Sequence, residues 1–301
     1  MLILDFINVG YGDAILVRDT EAKTTILVDS GDTTTGRKPN SARITASAFL
    51  QKEGIKTIDL LVLTHLHRDH SGGLRKLLDE ITIREFWTNY LPPEELWEKH
   101  VPVPRGFSRG ARYLLQSMDI FLEALQRMRQ NGTLIKLAQK GGIAWNKDLS
   151  IRIETARETL LKRQDRIWWG VLSGMSDNKV LNELNEFIND TSIRMHLTYR
   201  MHSVFLPGDC HANMWEPSQI VPCEIVKLPH HGHKGSMTKS ILDRMQPKYA
   251  VISVSDSRKD DCPAMEILRL LKDNQTTVMF TDAVERAGFP TEHHESVRFI
   301  W

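Results

Sequence analysis

The sequence predicts an α/β protein of stacked sheets and helices, and three observations predict it. Apolar runs at 60–63, 204–206 and 225–228 have the length and composition of buried strands. Stretches of helical character at 42–53 and 74–79 lie between strands, so the two element types alternate as in a layered fold. Each of the three runs also passes into a turn carrying histidine, aspartate or glycine, which gathers polar chemistry where strands end.

The 301 residues are read as one domain over 1–301, with insertions at approximately 91–142 and 157–189. Hydrophobic residues make up 41% and charged residues 26%, and the formal charge is +1. The molecule as a whole therefore gives no argument for a nucleic-acid or membrane surface. Cys210, Cys223 and Cys262 are odd in number and far apart, which speaks against a disulfide framework and for a reducing compartment. With no basic leader, apolar targeting stretch or run of membrane-spanning length, a cytoplasmic location and no membrane span are the expectation.

Taken in order, the chain opens with a strand at 2–9 and a turn bracketed by Gly10, Gly12 and Asp13. Strands follow at 15–17 and 25–28, the latter ending in Asp29, Ser30 and Gly31. A polar loop at 32–39 precedes the helix at 42–53, which Gly54 stops. The central strand, a helix near 74–79 and a strand at 83–88 come next, and Pro92, Pro93, Pro102 and Pro104 then punctuate a loop. Leu114, Met118, Phe121, Leu125 and Met128 step by four, three, four and three residues, the spacing of one apolar helix face. Between 101 and 140, seven Lys/Arg stand against two acids, with Phe107 and Tyr113 among the arginines. That composition suits a phosphate backbone and unstacked bases, and equally a solvated helix face. A strand at 149–155, a partly helical stretch at 157–189 containing Trp168 and Trp169, and strands at 192–197, 247–255, 276–281 and 296–301 complete the pattern.

The densest chemistry follows the strand at 60–63. His65, His67, Asp69 and His70 place three imidazoles and a carboxylate within six residues, more than packing explains. Alternation sends His65, His67 and Asp69 to one side, and the Asp69–His70 pair breaks that register so that His70 can face a second cation.

His65-x-His67-x-Asp69-His70 after an apolar strand resembles the signature of the metallo-β-lactamase fold. The Gly10-Tyr11-Gly12-Asp13 turn, Gly208-Asp209, His230-His231-Gly232 with Ser236, and Ala250-Val251-Ile252-Ser253-Val254 resemble one branch of it. That branch contains the soluble hydrolase domain of the bacterial DNA-uptake channel ComEC. The resemblance implies an αββα four-layer sandwich holding two divalent metal ions, zinc or manganese. It implies a bridging carboxylate at Asp209 and a bracing role for Asp29, which holds the ligand loop without binding metal. One site would consist of His65, His67 and Asp209, aided by Asn189. The other would consist of Asp69, His70, Asp209 and one of His230 and His231, with His230 preferred as the first residue off its strand. One tight and one weaker position are expected. His233 stands where that branch usually has serine, and Cys262 where it usually has histidine, so no ligand role passes to Cys262.

The expected activity is a metal-dependent hydrolase, a phosphodiesterase or nuclease acting on DNA or RNA through a metal-activated hydroxide. Asp69 is a catalytic candidate, and His231, His233 and Lys234 are candidates to protonate a leaving oxygen or steady a phosphate. Arg105, Arg109, Arg112 and Ser236 are candidate substrate contacts. The alternatives are hydrolysis of a small phosphodiester, a phosphocholine-type ester, a lactone or a thioester, or a metal-stabilised, non-catalytic component of a larger defence or uptake assembly.

Overall fold

The structure, a computed structural model, describes residues 1–36, 41–254, 262–283 and 294–301. The last residues of the loop at 32–39, and Ser255 of the strand at 247–255, lie outside the described residues. The first sheet contains β1 (Leu2–Ile7), β2 (Ile15–Asp19), β3 (Thr24–Val28), β4 (Thr57–Leu63), β5 (Thr82–Thr88) and β6 (Leu134–Leu137). The second contains β7 (Gly141–Ala144), β8 (Leu149–Glu154), β9 (Arg194–Tyr199), β10 (His202–Leu206), β11 (Ile225–Lys227), β12 (Tyr249–Ile252) and β13 (Thr277–Phe280). A last strand, β14 (Ser296–Ile300), returns to pair with β1, giving the spatial orders β14-β1-β2-β3-β4-β5-β6 and β13-β12-β11-β10-β9-β8-β7.

Period-two alternation explains how each strand serves two layers. In β3 and β4, Ile26, Val28, Leu60 and Val62 face the second sheet and pack with Ile151, Leu197, Val204 and Ile225. Their neighbours Leu27, Leu61 and Leu63 face the other way, into a core formed with helices. That helical layer includes α1 (Ala46–Lys52), α2 (Arg68–Ser71), α3 (Leu74–Glu80), α4 (Arg109–Gln130), α5 (Glu158–Leu172) and α6 (Asn178–Phe187). On the far side of the second sheet, α7 (Lys239–Met245) and α8 (Met265–Asp273) cover β10 to β13 through Phe205, Val226, Leu242 and Leu268. Helix, sheet, sheet, helix is the four-layer αββα sandwich. Each aliphatic side chain buried in it contributes about 1.5–3 kcal/mol.

The helix read from the 114–128 spacing is α4, with Leu114, Met118, Phe121, Leu125 and Met128 all buried. Ser108 caps it by accepting a hydrogen bond from the Ala111 amide at 3.2 Å. The two insertions carry more regular structure than their composition announced. The first ends in β6 and at the start of β7, which close one edge of each sheet, and the second folds into α5 and α6. Both edge strands are solvent-exposed, so they lack the apolar alternation that marks a buried strand. Trp168 is a core residue, whereas Trp169 is 53% exposed. Among the described residues, no helix is long and apolar enough to cross a membrane.

Candidate metal centre

The site forms where strands of both sheets end. From the first sheet, β3 runs into Asp29 and β4 into the 64–70 segment; from the second, β10 leads to Asp209 and β11 to the His230–His231 turn. Two glycines allow the close approach. Gly12 has φ +131°, and a Cβ there would lie 2.2 Å from the carbonyl oxygen of Asp69. Gly208 has φ +57°, and its Cβ would lie 2.9 Å from that of Ser192 and 3.1 Å from that of Thr64. A side chain at Gly12 would force its turn off the Asp69 loop of the same sheet, and one at Gly208 would push the strand ends of the two sheets apart.

Asp69, His70, Asp209 and His231 each offer one ligand atom, and those atoms lie within 4.8 Å of one another. Nε2 of His70 is 3.2 Å from Oδ2 of Asp209 and 3.8 Å from Oδ2 of Asp69. Nε2 of His231 is 3.2 Å from Oδ2 of Asp69 and 3.5 Å from Oδ2 of Asp209. A divalent cation fits this set on two counts. Among the described residues, buried His70 Nε2 has no hydrogen-bond partner, and two imidazoles with two carboxylates are a donor set that zinc and manganese accept. The imidazole that joins the set is His231, not His230. His230 and His231 both adopt left-handed backbone (φ 48° and 53°), which turns the second histidine inward and leaves the first on the pocket rim. Nδ1 of His231 is then anchored at 3.0 Å from the carbonyl oxygen of Ser253.

Beneath the donors lies a buried bracing layer. Asp29 accepts hydrogen bonds from the Thr64 amide and hydroxyl, both at 2.8 Å, and lies 2.7 Å from Nδ1 of His70. Lys227, fully buried on β11, contacts Asp13 and lies 3.1 Å from Oδ1 of Asp209. Asn189 acts through a neighbour: its carbonyl oxygen accepts from the Ser192 hydroxyl at 2.6 Å, and that hydroxyl accepts from the Asp209 amide at 3.3 Å.

The electrostatics are those of a site built for positive charge. Burial works against protonated His70, but the carboxylates of Asp209, Asp29 and Asp69 outweigh it and hold its pKa well above the usual value. His231 is raised likewise, against burial, by Asp209 and Asp69. Burial alone would raise Asp209, yet Lys227, His70 and His231 bring it well below the carboxylate range. Burial and the neighbouring His70 push His65 in the opposite direction, toward the neutral form.

His65 and His67 sit beside the four-donor set, with Nε2 and Nδ1 3.2 Å apart. Among the described residues, neither belongs to a group of three or more mutually close donors. The pocket above the centre has a volume of about 490 Å³, and its walls include Tyr11, Arg68, Arg109, Tyr113, Asn185 and His230. Arg68 stacks 3.7 Å from the Tyr113 ring centre, with Arg109 at 5.3 Å. Burial would raise the Tyr113 phenol, but hydrogen bonding and charge from Arg109 and Arg68 hold it below its ordinary value.

Of the anticipated substrate contacts, Arg109 alone lines this pocket. Arg105 is exposed on the preceding loop, Arg112 is half-buried, and Ser236 is fully buried away from the pocket wall. His233 stacks on His230 at 4.9 Å and Lys234 is exposed, and neither lines the pocket. Much of the basic segment is paired locally, Arg127 with Asp79, Arg129 with Glu94, Lys136 with Glu85 and Lys140 with Glu154. Cys262 is buried and does not belong to the four-donor set.

Lys227 was not singled out from the sequence, although a lysine inside the apolar run 225–228 was a signal of a buried, partnered charge, and Asp13 was read only as part of its glycine turn, without a site role. His211 was also missed. Its Nδ1 is 2.8 Å from Asp190, its Nε2 is 3.1 Å from Nδ1 of His230, and the Asp190 contact raises its pKa.

With this fold and donor set in place, comparison defines the class. The family model of the Metallo-beta-lactamase superfamily matches residues 7–256, and the chain belongs to that superfamily, with the metal-dependent hydrolases of that fold. More particularly, it is similar to ComE operon protein 3 of Bacillus subtilis (strain 168), with 24% identity over 291 residues. The match covers 93% of this chain and 32% of that protein, so the chain spans about a third of its relative's length. Similar solved structures include isothiocyanate hydrolase from Delia radicum gut bacteria (TM-score 0.51, 12% identity, 99% and 98% of the two chains). CmlA, a diiron beta-hydroxylase from Streptomyces venezuelae, superposes with a TM-score of 0.52 at 12% identity over 92% of this chain and 52% of its own. A hydrolase and a hydroxylase on one scaffold show that these likenesses carry the fold alone.

Proposed function

We propose that this chain is a divalent-metal-dependent phosphodiesterase whose substrate class is nucleic acid, DNA or RNA. The observation that carries the reading is the convergence of Asp69, His70, Asp209 and His231 at a pocket whose wall presents Arg68, Arg109 and Tyr113. The similarity to ComE operon protein 3 supports it. Two ions, zinc or manganese, belong to the proposal, with the four-donor set as the tight position and the His65–His67 pair as the weaker. A cation there supplies Lewis acidity and lowers the pKa of water toward neutrality.

The protein's own groups do the rest. The Arg68 and Arg109 guanidiniums draw phosphate oxygens to the pocket, and the Tyr113 ring that both approach helps to hold them in place. Asp29 and Lys227 fix the rotamers of His70 and Asp209, so the donors are set before substrate arrives. Asp190, His211 and His230 form a hydrogen-bonding chain that reaches the rim and is placed to hand a proton to a leaving oxygen. A cytoplasmic location is part of the proposal, supported by three buried cysteines that form no disulfide among the described residues.

Local pairing of the basic segment favours a second reading, in which a small phosphodiester replaces the polynucleotide. A panel of single- and double-stranded DNA, RNA and small diesters, with zinc, manganese and magnesium, separates the two. Cleavage of polynucleotide that Asp69→Ala or His70→Ala abolishes supports the nuclease, turnover of small diesters alone selects the second reading, and no turnover of any of them overturns both.

A further inference from the structure

The outer face of the second sheet is covered by α7 and α8 only toward β10–β13. Toward the β7 edge, the same face carries a groove of about 360 Å³. It shares no lining residue with the metal pocket. Arg152 on β8 and His196 on β9 are direct cross-strand partners in it. Each holds a buried nitrogen without a hydrogen-bond partner among the described residues, Nη2 of Arg152 and Nε2 of His196. His196 is 92% buried on the complement of its 8% exposure, and its ring is clamped flat against Phe205 at 4.2 Å and 20°.

Unpartnered nitrogens on two cross-strand neighbours point to a ligand that accepts from the guanidinium and bonds to the ring, because buried polar groups in folded proteins are nearly always satisfied. The guanidinium supplies the charge. Its Nε is 3.6 Å from Glu154, but that carboxylate is shared with Lys140 at 3.5 Å and accepts from Gln219 at 3.3 Å. Burial, then the charges of Arg152 and Arg194, push the His196 pKa down to about 3, so the ring enters as a neutral hydrogen-bonding group. The hydroxyl-bearing Ser150, Thr198 and Ser203 line the same groove, and Ile143 adds an apolar wall. The volume exceeds what a bare anion needs and falls in the range of small-molecule sites.

We propose that this groove binds a small phosphorylated organic ligand of nucleotide size, with Arg152 and His196 holding the phosphate. The inference stands apart from the phosphodiesterase reading and needs no bound metal.

Inorganic phosphate, adenosine monophosphate and a short oligonucleotide would be titrated into the zinc-loaded protein while the His196 ring nitrogens are followed by NMR. The signal is assigned by its loss in His196→Phe, which keeps the ring stacked on Phe205. Both phosphate and the mononucleotide should shift His196 saturably, the mononucleotide binding more tightly. Arg152→Met and His196→Phe should each weaken mononucleotide binding, read by calorimetry, about tenfold, with zinc content and turnover unchanged. Should Arg152→Met fail to fold, Arg152→Lys, which loses the planar fork, is expected to weaken binding in the same direction. No saturable shift with phosphate or mononucleotide at millimolar concentration would overturn the proposal. So would a shift with the oligonucleotide alone, since the groove would then be a path for polynucleotide.

Discussion

Oδ2 of Asp29 lies 2.7 Å from Nδ1 of His70, and both side chains are buried. The contact fixes which ring nitrogen of His70 faces Asp69 and Asp209. Asp29→Asn keeps the shape but loses the charge that favours an Nδ1–H tautomer. Zinc affinity should fall roughly 10–100-fold. Competition against a coloured chelator measures it, and an unchanged affinity would show that Asp29 does not position the ring.

Lys227→Met leaves Asp13 and Asp209 without their shared buried cation. Removing one partner of such a pair costs about 3–5 kcal/mol. Urea unfolding of the chelated protein should show a loss of that order, and bound zinc should restore part of it by neutralising Asp209. A chelated variant as stable as the parent would mean that the pair is solvated.

The raised proton affinities of His70 and His231 set a pH dependence. In metal-free protein, the stability contributed by these protons is complete below the unfolded histidine value, about 6.5, and is lost as pH rises through the higher folded values. A cation must displace the same protons, so zinc affinity should increase with pH across that window and binding should release protons. Calorimetry in two buffers of different ionisation enthalpy counts them, and binding without release would contradict the assignment.

His231→Ala and His230→Ala should separate cleanly. The first removes a member of the four-donor set and should lower zinc affinity at least about 100-fold. The second leaves that set whole and removes the rim end of the Asp190–His211–His230 chain, so it should keep zinc while lowering turnover about 10²–10⁴-fold. Equal loss of metal in both variants would restore His230 as a ligand.

The contiguous parts of the centre were legible in the sequence. Asp69 and His70, the two donors of the set that follow one apolar strand, need no long-range information to be seen, whereas His65 and His67 stand outside the four-donor set. The αββα layering was legible too, because β3, β4 and β10 show apolar runs that end in polar turns. The choice between His230 and His231 was not, since it depends on two successive left-handed residues that no side-chain pattern reports. Asp13 and Lys227 were hidden for another reason: their meaning is their contact, and 214 positions separate them as counted from their residue numbers. The charge of the basic segment, counted along the chain, leaves out acids such as Asp79, Glu85 and Glu94 that fold against it, so only part of it faces a partner unpaired.

Asp69 and His70 arrive with the first sheet, and Asp209 and His231 with the second. Neither half of the polypeptide alone can grip an ion with more than two of these four groups. A cation held by all four would therefore join the two sheets, and it could meet the complete set only after residue 231 has been made.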